Sequence, residues 1–155
     1  MNTIETIAEW QTNFQNDLVK KYNELGLRAS GKWERSLRHE LKITENGYEI
    51  IQYGEHYTYQ LENGRRAGKF PPIQAIEEWV KQKGIIATDI SKKSLIFLIS
   101  RKISQTGIQV PNEYNTGGLI SDVFTKKRVD LLIDSIKNTK LREMKSDVLN
   151  SIKIW

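Results

Sequence analysis

Leu41-Lys42-Ile43-Thr44-Glu45-Asn46-Gly47-Tyr48-Glu49-Ile50 decides the class of the fold. Leu41 and Ile43 alternate with polar residues, and so do Tyr48 and Ile50 on the far side of Asn46-Gly47. Alternation with a period of two puts one set of side chains on one face of a strand. Asn-Gly tolerates the positive φ angles of a tight hairpin. The stretch therefore predicts two antiparallel strands, at roughly 40–45 and 48–53. The segments to either side carry the three- and four-residue spacing of helices. A small antiparallel sheet embedded in helices is an α+β fold, and the length of 155 residues suits one domain spanning 1–155.

Before the hairpin, Ile4, Ile7, Phe14, Leu18, Tyr22 and Leu25 form the stripe of a helix over 3–25, with Gln11 as its one gap. Asn2 followed by Glu5 resembles a capping box, and Gly26 suits the position after the helix end. A shorter helix over 31–41 would place Trp33, Leu37 and Leu41 on one side. After the hairpin, residues 53–64 read two ways: the tyrosines favour a strand, whereas Tyr57 and Leu61 closed by Gly64 favour one or two helical turns. Then follows the loop 65–70. Pro71-Pro72 opens a helix with Ile73, Ile76, Trp79 and Val80 on its apolar face, ended by Gly84. A further helix, from Asp89 or Ser91 to Gln105, is apolar on all sides at its centre and is expected to be the most buried. Beyond the loop 108–118, a long helix reads from Leu119 to Asn138 and on toward Asn150, with Val129, Leu132, Ile133 and Ile136 packed. Residues 139–155 form an extension, and Ile152-Lys153-Ile154-Trp155 alternates like a short strand.

Composition narrows the function. There is no cysteine, which excludes disulfides, thiolate metal sites and cysteine nucleophiles. No apolar run approaches the 18 residues of a membrane span, and the N-terminus lacks the basic start and apolar stretch of a signal peptide. The net charge is +5; residues 1–84 hold 12 basic and 12 acidic side chains, residues 85–155 hold 12 and 7. The excess therefore lies in the second half, where it suits a phosphate backbone, an acidic partner or simply solvent. The basic clusters are Arg65-Arg66 with Lys69, Lys92-Lys93, Arg101-Lys102 and Lys126-Lys127-Arg128. Arg65, Arg66, Lys69, Lys126, Lys127 and Arg128 are the candidates to face a partner or DNA. Two glycines and three cations make the loop from Gly64 to Phe70 read as flexible and able to reach beyond its own domain. Trp33 and Trp79 lie on apolar faces and are expected in the core. Trp10, off the stripe of the first helix, Phe70 and the terminal Trp155 are candidate interface anchors.

Little points to catalysis. His39 and His56 lie in no ligand or base pattern, and there is no glycine-rich phosphate loop or nucleophile elbow. Asp130 with Glu143-Met144-Lys145 has the acidic-x-lysine form used by metal-dependent nucleases, but here in helical sequence. The reading is of a chain that is not an enzyme and has no cofactor, metal or small-molecule substrate.

Several segments taken in order resemble a family. These are Ser30-Gly31-Lys32-Trp33-Glu34-Arg35-Ser36-Leu37, the hairpin, Tyr57-x-x-x-Leu61-Glu62-x-Gly64-x-Arg66, the basic loop, Phe70-Pro71-Pro72-Ile73 with Trp79, and Ile99-Ser100-Arg101-Lys102-Ile103-x-x-x-Gly107. Over residues 1–138 they are similar to the small neck and tail-completion proteins of tailed bacteriophages. The resemblance implies a structural virion protein made in the host cytoplasm, a homo-oligomeric ring at the junction of portal and tail. Its implied partners are portal, adaptor or tail proteins, with non-specific contact to the DNA in the channel. The alternative reading is a basic nucleic-acid-binding module without catalysis.

Overall fold

The computed structural model describes residues 1–152 of the chain. It is an α+β fold: a two-stranded antiparallel hairpin and, among the described residues, six helices, with the long N-terminal and C-terminal helices packed together. The order is α1 (Thr3–Glu24), α2 (Lys32–Ser36), β1 (Arg38–Thr44), β2 (Gly47–Tyr53), α3 (Thr58–Asn63), α4 (Ile73–Gln82), α5 (Lys92–Thr106) and α6 (Lys126–Ser151).

The capping box at α1 forms: Asn2 Oδ1 accepts from the Glu5 N–H at 2.9 Å, and Glu5 Oε2 accepts from the Asn2 N–H at 2.8 Å. Ile7, Phe14, Leu18 and Tyr22 are buried along one face, as the spacing predicts. Gln11, the polar gap in that stripe, is buried too. Its amide donates to the Glu40 carbonyl at 3.2 Å and so ties β1 to the helix. Ile4 belongs to the predicted stripe but stays largely exposed.

The core gathers Phe14, Leu18 and Tyr22 of α1 with Trp33, Leu37, Leu119 and Val123; Tyr57, Leu61 and Trp10 pack against its edge. Tyr22 stacks on Trp33 with ring centroids 4.5 Å apart, and the Trp33 indole donates to Thr58 Oγ1 at 2.9 Å. That bond matters because a buried indole N–H without an acceptor is costly. Thr58–Asn63 is helical, which decides the ambiguous tyrosine stretch: Tyr57 and Leu61 lie four apart and both turn onto the core.

α6 runs antiparallel to α1. Arg128 meets Asp17 at 2.7 Å, Thr139 Oγ1 meets Thr6 Oγ1 at 3.4 Å, and Glu143 Oε1 accepts from the Thr3 N–H at 2.8 Å. Its packed stripe is Val129, Leu132, Ile136, Thr139 and Glu143. Ile133, expected on that face, is 43% exposed, because it lies about 100° around the helix from Leu132.

Four further expectations are corrected. The second helix ends at Ser36, because Leu37 is already extended (ψ 126) and leads into β1 at Arg38; Leu41 is thus on β1, not on a helix face with Trp33. The hairpin pairs Thr44 with Gly47, so Glu45 and Asn46 form the turn, and Gly47 alone takes a positive φ there. The C-terminal helix begins at Lys126, capped by the Thr125 hydroxyl, while Leu119 and Val123 are buried in the turns before it. Most consequential, α5 is not the most buried helix. Only Ile96 and Ser100 are buried, whereas Phe97 is 52% and Leu98 49% exposed. Its packing partner is α4, which buries Val80 and leaves Trp79, expected in the core, 41% exposed. A two-helix layer can cover only one side of each helix, so the remaining apolar side chains face outward. Trp155 and all but Ile152 of the tail read as a strand lie outside the described residues.

Candidate partner-facing surface

The segment Tyr57 to Arg66 acts as a clasp rather than as a free arm. Tyr57 and Leu61 hold it to the core. The Glu62 carboxylate accepts from the Ile120 N–H at 2.8 Å and the Ser121 N–H at 3.1 Å. Burial pushes its pKa up, but these bonds and one with the Ser121 side chain outweigh it and leave the group below the ordinary carboxylate range. The Asn115 amide donates to the Leu61 carbonyl at 2.9 Å, which fixes the loop after α5 to the same element.

Arg65 then pairs with Ile108 in an antiparallel bridge, each N–H donating to the other's carbonyl at 2.8 Å, and the Gly68 N–H donates to the Ser104 carbonyl at 2.8 Å. The glycines serve this close approach. Gly64 (φ 80, ψ −166) and Gly107 (φ 69, ψ −164) take the same conformation, which side-chain-bearing residues essentially do not adopt. A Cβ on Gly64 would overlap the Ile108 carbonyl oxygen, and one on Gly107 the Arg65 carbonyl oxygen. The flexible loop of the sequence reading is therefore corrected: its base is stapled to the C-terminal end of α5. The guanidinium of Arg65 reaches the Lys69 carbonyl at 3.1 Å, while the Arg66, Lys69 and Phe70 side chains are exposed. Phe70 lies 5.9 Å from Phe97, ring centre to ring centre, and continues the outward apolar face of α5.

The second basic cluster is used within the fold. Lys126 pairs with Asp130 at 2.6 Å. Arg128 pairs with Asp17 and lies 5.8 Å over the Trp10 ring and 5.3 Å over Phe14. Trp10 itself stacks on Phe14 at 5.3 Å and is half-buried, so it is committed to its own domain. Lys127 is exposed and, among the described residues, makes no ion pair.

The residues of the nuclease reading do not converge. Asp130 and Glu143 are on one helix, 13 residues and so about 20 Å apart. Glu143 is occupied by the Thr3 N–H and hydroxyl and by Lys140, which hold its pKa below the ordinary range. No group of three or more His, Asp or Glu that could hold a metal ion occurs among the described residues. His39 Nδ1 lies 3.3 Å from Gln15 Oε1, and His56 is exposed beside Glu55. Among the described residues, no helix is long and apolar enough to cross a membrane.

The sequence offers, on the first helix and the face around Trp79, more apolar surface than a monomer needs; what it did not show is that the uncovered surface extends to α5 and the end of α6. The chain exposes 11309 Å². A compact monomer of 18.0 kDa would expose about 8,000 Å². Part of the excess is apolar and grouped: Phe70, Ile73, Trp79, Phe97 and Leu98 around α4 and α5, then Leu141, Met144, Val148 and Ile152 along the end of α6. The apolar-all-round centre of α5 was the available signal; it marks a helix to be covered, and did not say by what. Comparison with known protein families, curated proteins and solved structures gives no match for this chain.

Proposed function

We propose that the chain is a non-catalytic structural subunit of a tailed-phage neck, which assembles into a homo-oligomeric ring between portal and tail proteins. The observation that carries this reading is the surplus of exposed apolar surface on two separate parts of the molecule. A monomer gains nothing from exposing Phe97 and Leu98 on one helix and Met144 and Val148 on another. A cyclic ring needs two different patches on each subunit, one for each neighbour, because its contacts are head-to-tail. The excess of roughly 3,000 Å² over a compact monomer exceeds what two standard interfaces take from one subunit, about 800 Å² each. The order of motifs from Ser30 to Gly107 supports placing that ring in a phage neck.

Light scattering on the size-fractionated protein tests the reading. The expected mass is six or more copies of the 18.0 kDa chain. Phe97→Ser with Leu98→Ser is expected to return it to monomer without loss of helical circular dichroism, since both side chains are about half exposed. A chain that stays monomeric up to about 100 µM, far above the dissociation constant of a stable standard-size interface, and that is absent from purified virions, overturns the proposal.

A further inference from the structure

α6 is longer than the helix it packs on. The two run antiparallel, and Glu143 of α6 meets Thr3, the first residue of α1. Residues 144–151 therefore project about 12 Å past the end of their support. Every residue from Met144 to Ile152 is exposed. The side-chain hydrogen bonds of this arm, Asn150 to Ser146 and Ser151 to the Asp147 carbonyl, stay within it. Its own chemistry does little to hold it helical: two turns gain little in water, and Glu143 and Asp147, four residues apart, carry like charges. Yet it bears a ridge of apolar side chains at three- and four-residue spacing, with Leu141 64%, Met144 62%, Val148 59% and Ile152 58% exposed. That spacing is the signature of a helix that lays one face on a partner. The arm also lies beyond residues 1–138, the stretch that carries the resemblance, so the resemblance does not account for it.

We infer that this arm docks on a second copy of the chain, on the outward face of α5 formed by Phe97 and Leu98 with Phe70. The inference rests on the ring reading above and names its contact, arm to face. Charge selects the pairing. α5 carries Lys92, Lys93, Arg101 and Lys102 and no carboxylate. Arg101 and Lys102 follow Phe97 and Leu98 by one turn, are exposed, and have no acidic partner among the described residues. Two such faces laid together would set cation against cation whichever way the helices ran, so the face does not pair with itself. The arm differs. From Met144 to Ser151 it holds one cation and one carboxylate, and Asp147 makes no ion pair among the described residues. α6 has no basic residue in its last turn, so its unsatisfied carbonyls leave the C-terminal end partly negative. Laid on α5, that end and Asp147 answer Arg101 and Lys102 at the rim of an apolar centre, which is the anatomy of a protein interface. Length agrees as well: the ridge from Leu141 to Ile152 spans about 16 Å and α5 about 22 Å. A head-to-tail contact of this kind uses one patch of each subunit and leaves the other free for the next.

Complementation between two full-length variants tests the contact. Met144→Ser with Val148→Ser disables the arm and keeps the face; Phe97→Ser with Leu98→Ser disables the face and keeps the arm. All four side chains are about half exposed or more, so both variants are expected to keep the circular dichroism of the wild type. At a concentration where the wild type is oligomeric, light scattering is expected to give the 18.0 kDa monomer for each variant alone and twice that mass for their equimolar mixture. A mixed pair has one working arm and one working face, so association stops at two chains. A mixture that stays monomeric overturns the inference. So does association of the arm variant alone, which would mean that faces pair with each other, or of the face variant alone, which would mean that arms do. A wild type that forms a ring while the mixture stays monomeric removes the arm contact and keeps the ring. A mixture that pairs, with wild-type protein growing into open chains, keeps the contact and removes the ring. A wild type that is itself monomeric overturns both.

Discussion

Alanine at Gly64 is the sharpest probe of the staple. The substitution adds a Cβ where the Ile108 carbonyl oxygen already lies, at a backbone conformation of φ 80 and ψ −166. Holding alanine in that conformation costs about 1–3 kcal/mol. Relieving it by moving the chain breaks the two Arg65–Ile108 hydrogen bonds, worth about 0.5–1.5 kcal/mol each. The clash with the Ile108 oxygen adds to that strain, so opening the bridge is the cheaper route and sets the loss at about 1–3 kcal/mol. Gly107→Ala meets the same bridge from the other side, because its Cβ would overlap the Arg65 carbonyl oxygen. Once either substitution has opened the bridge, the second has less to break. The double variant is therefore expected to lose at least about 1 kcal/mol less than the sum of the single losses. Gly26→Ala is the control: its φ is also positive, at 67, but nothing lies within 4 Å of the added Cβ, so its cost is limited to about 1–2 kcal/mol of backbone strain. Urea unfolding measures all four free energies, and amide hydrogen exchange at Arg65 and Ile108 reports whether the bridge has opened. If Gly64→Ala leaves amide exchange at Arg65 and Ile108 unchanged, or if the two staple substitutions add without coupling, the close approach does not hold the loop and the reasoning fails.

Two further outcomes follow from the ionisable groups. Glu62 and Glu143 both have folded-state pKa values below the ordinary carboxylate range, so the stability they contribute is fully present above about pH 4.3 and is lost as pH falls through the lowered values. Glu62→Gln and Glu143→Gln are each expected to flatten the acid side of the stability–pH curve, and an acid limb identical to wild type in both variants would contradict the assignment. Arg128→Gln loses the Asp17 pair and the contacts over Trp10 and Phe14, for a destabilisation of about 1–2 kcal/mol in urea unfolding and a shift in tryptophan emission; a variant with wild-type stability and emission would contradict those contacts.

Local chemistry made the hairpin, the capped first helix and the Trp33 core legible in the sequence, because alternation, Asn2 with Glu5 and a buried stripe are each set by a few neighbours in the chain. The errors share one cause, which is that burial depends on what the rest of the fold supplies. Trp79 and the centre of α5 have the composition of core but receive cover on one side only. Gln11 looked like a defect in its stripe because its acceptor, the Glu40 carbonyl, is 29 residues away. Gly64 and Gly107 illustrate the point most clearly. Read locally, a glycine beside two arginines signals flexibility. In the fold, the same residue type does the opposite, since only a missing Cβ lets Arg65 and Ile108 pair at 2.8 Å and hold the loop against α5.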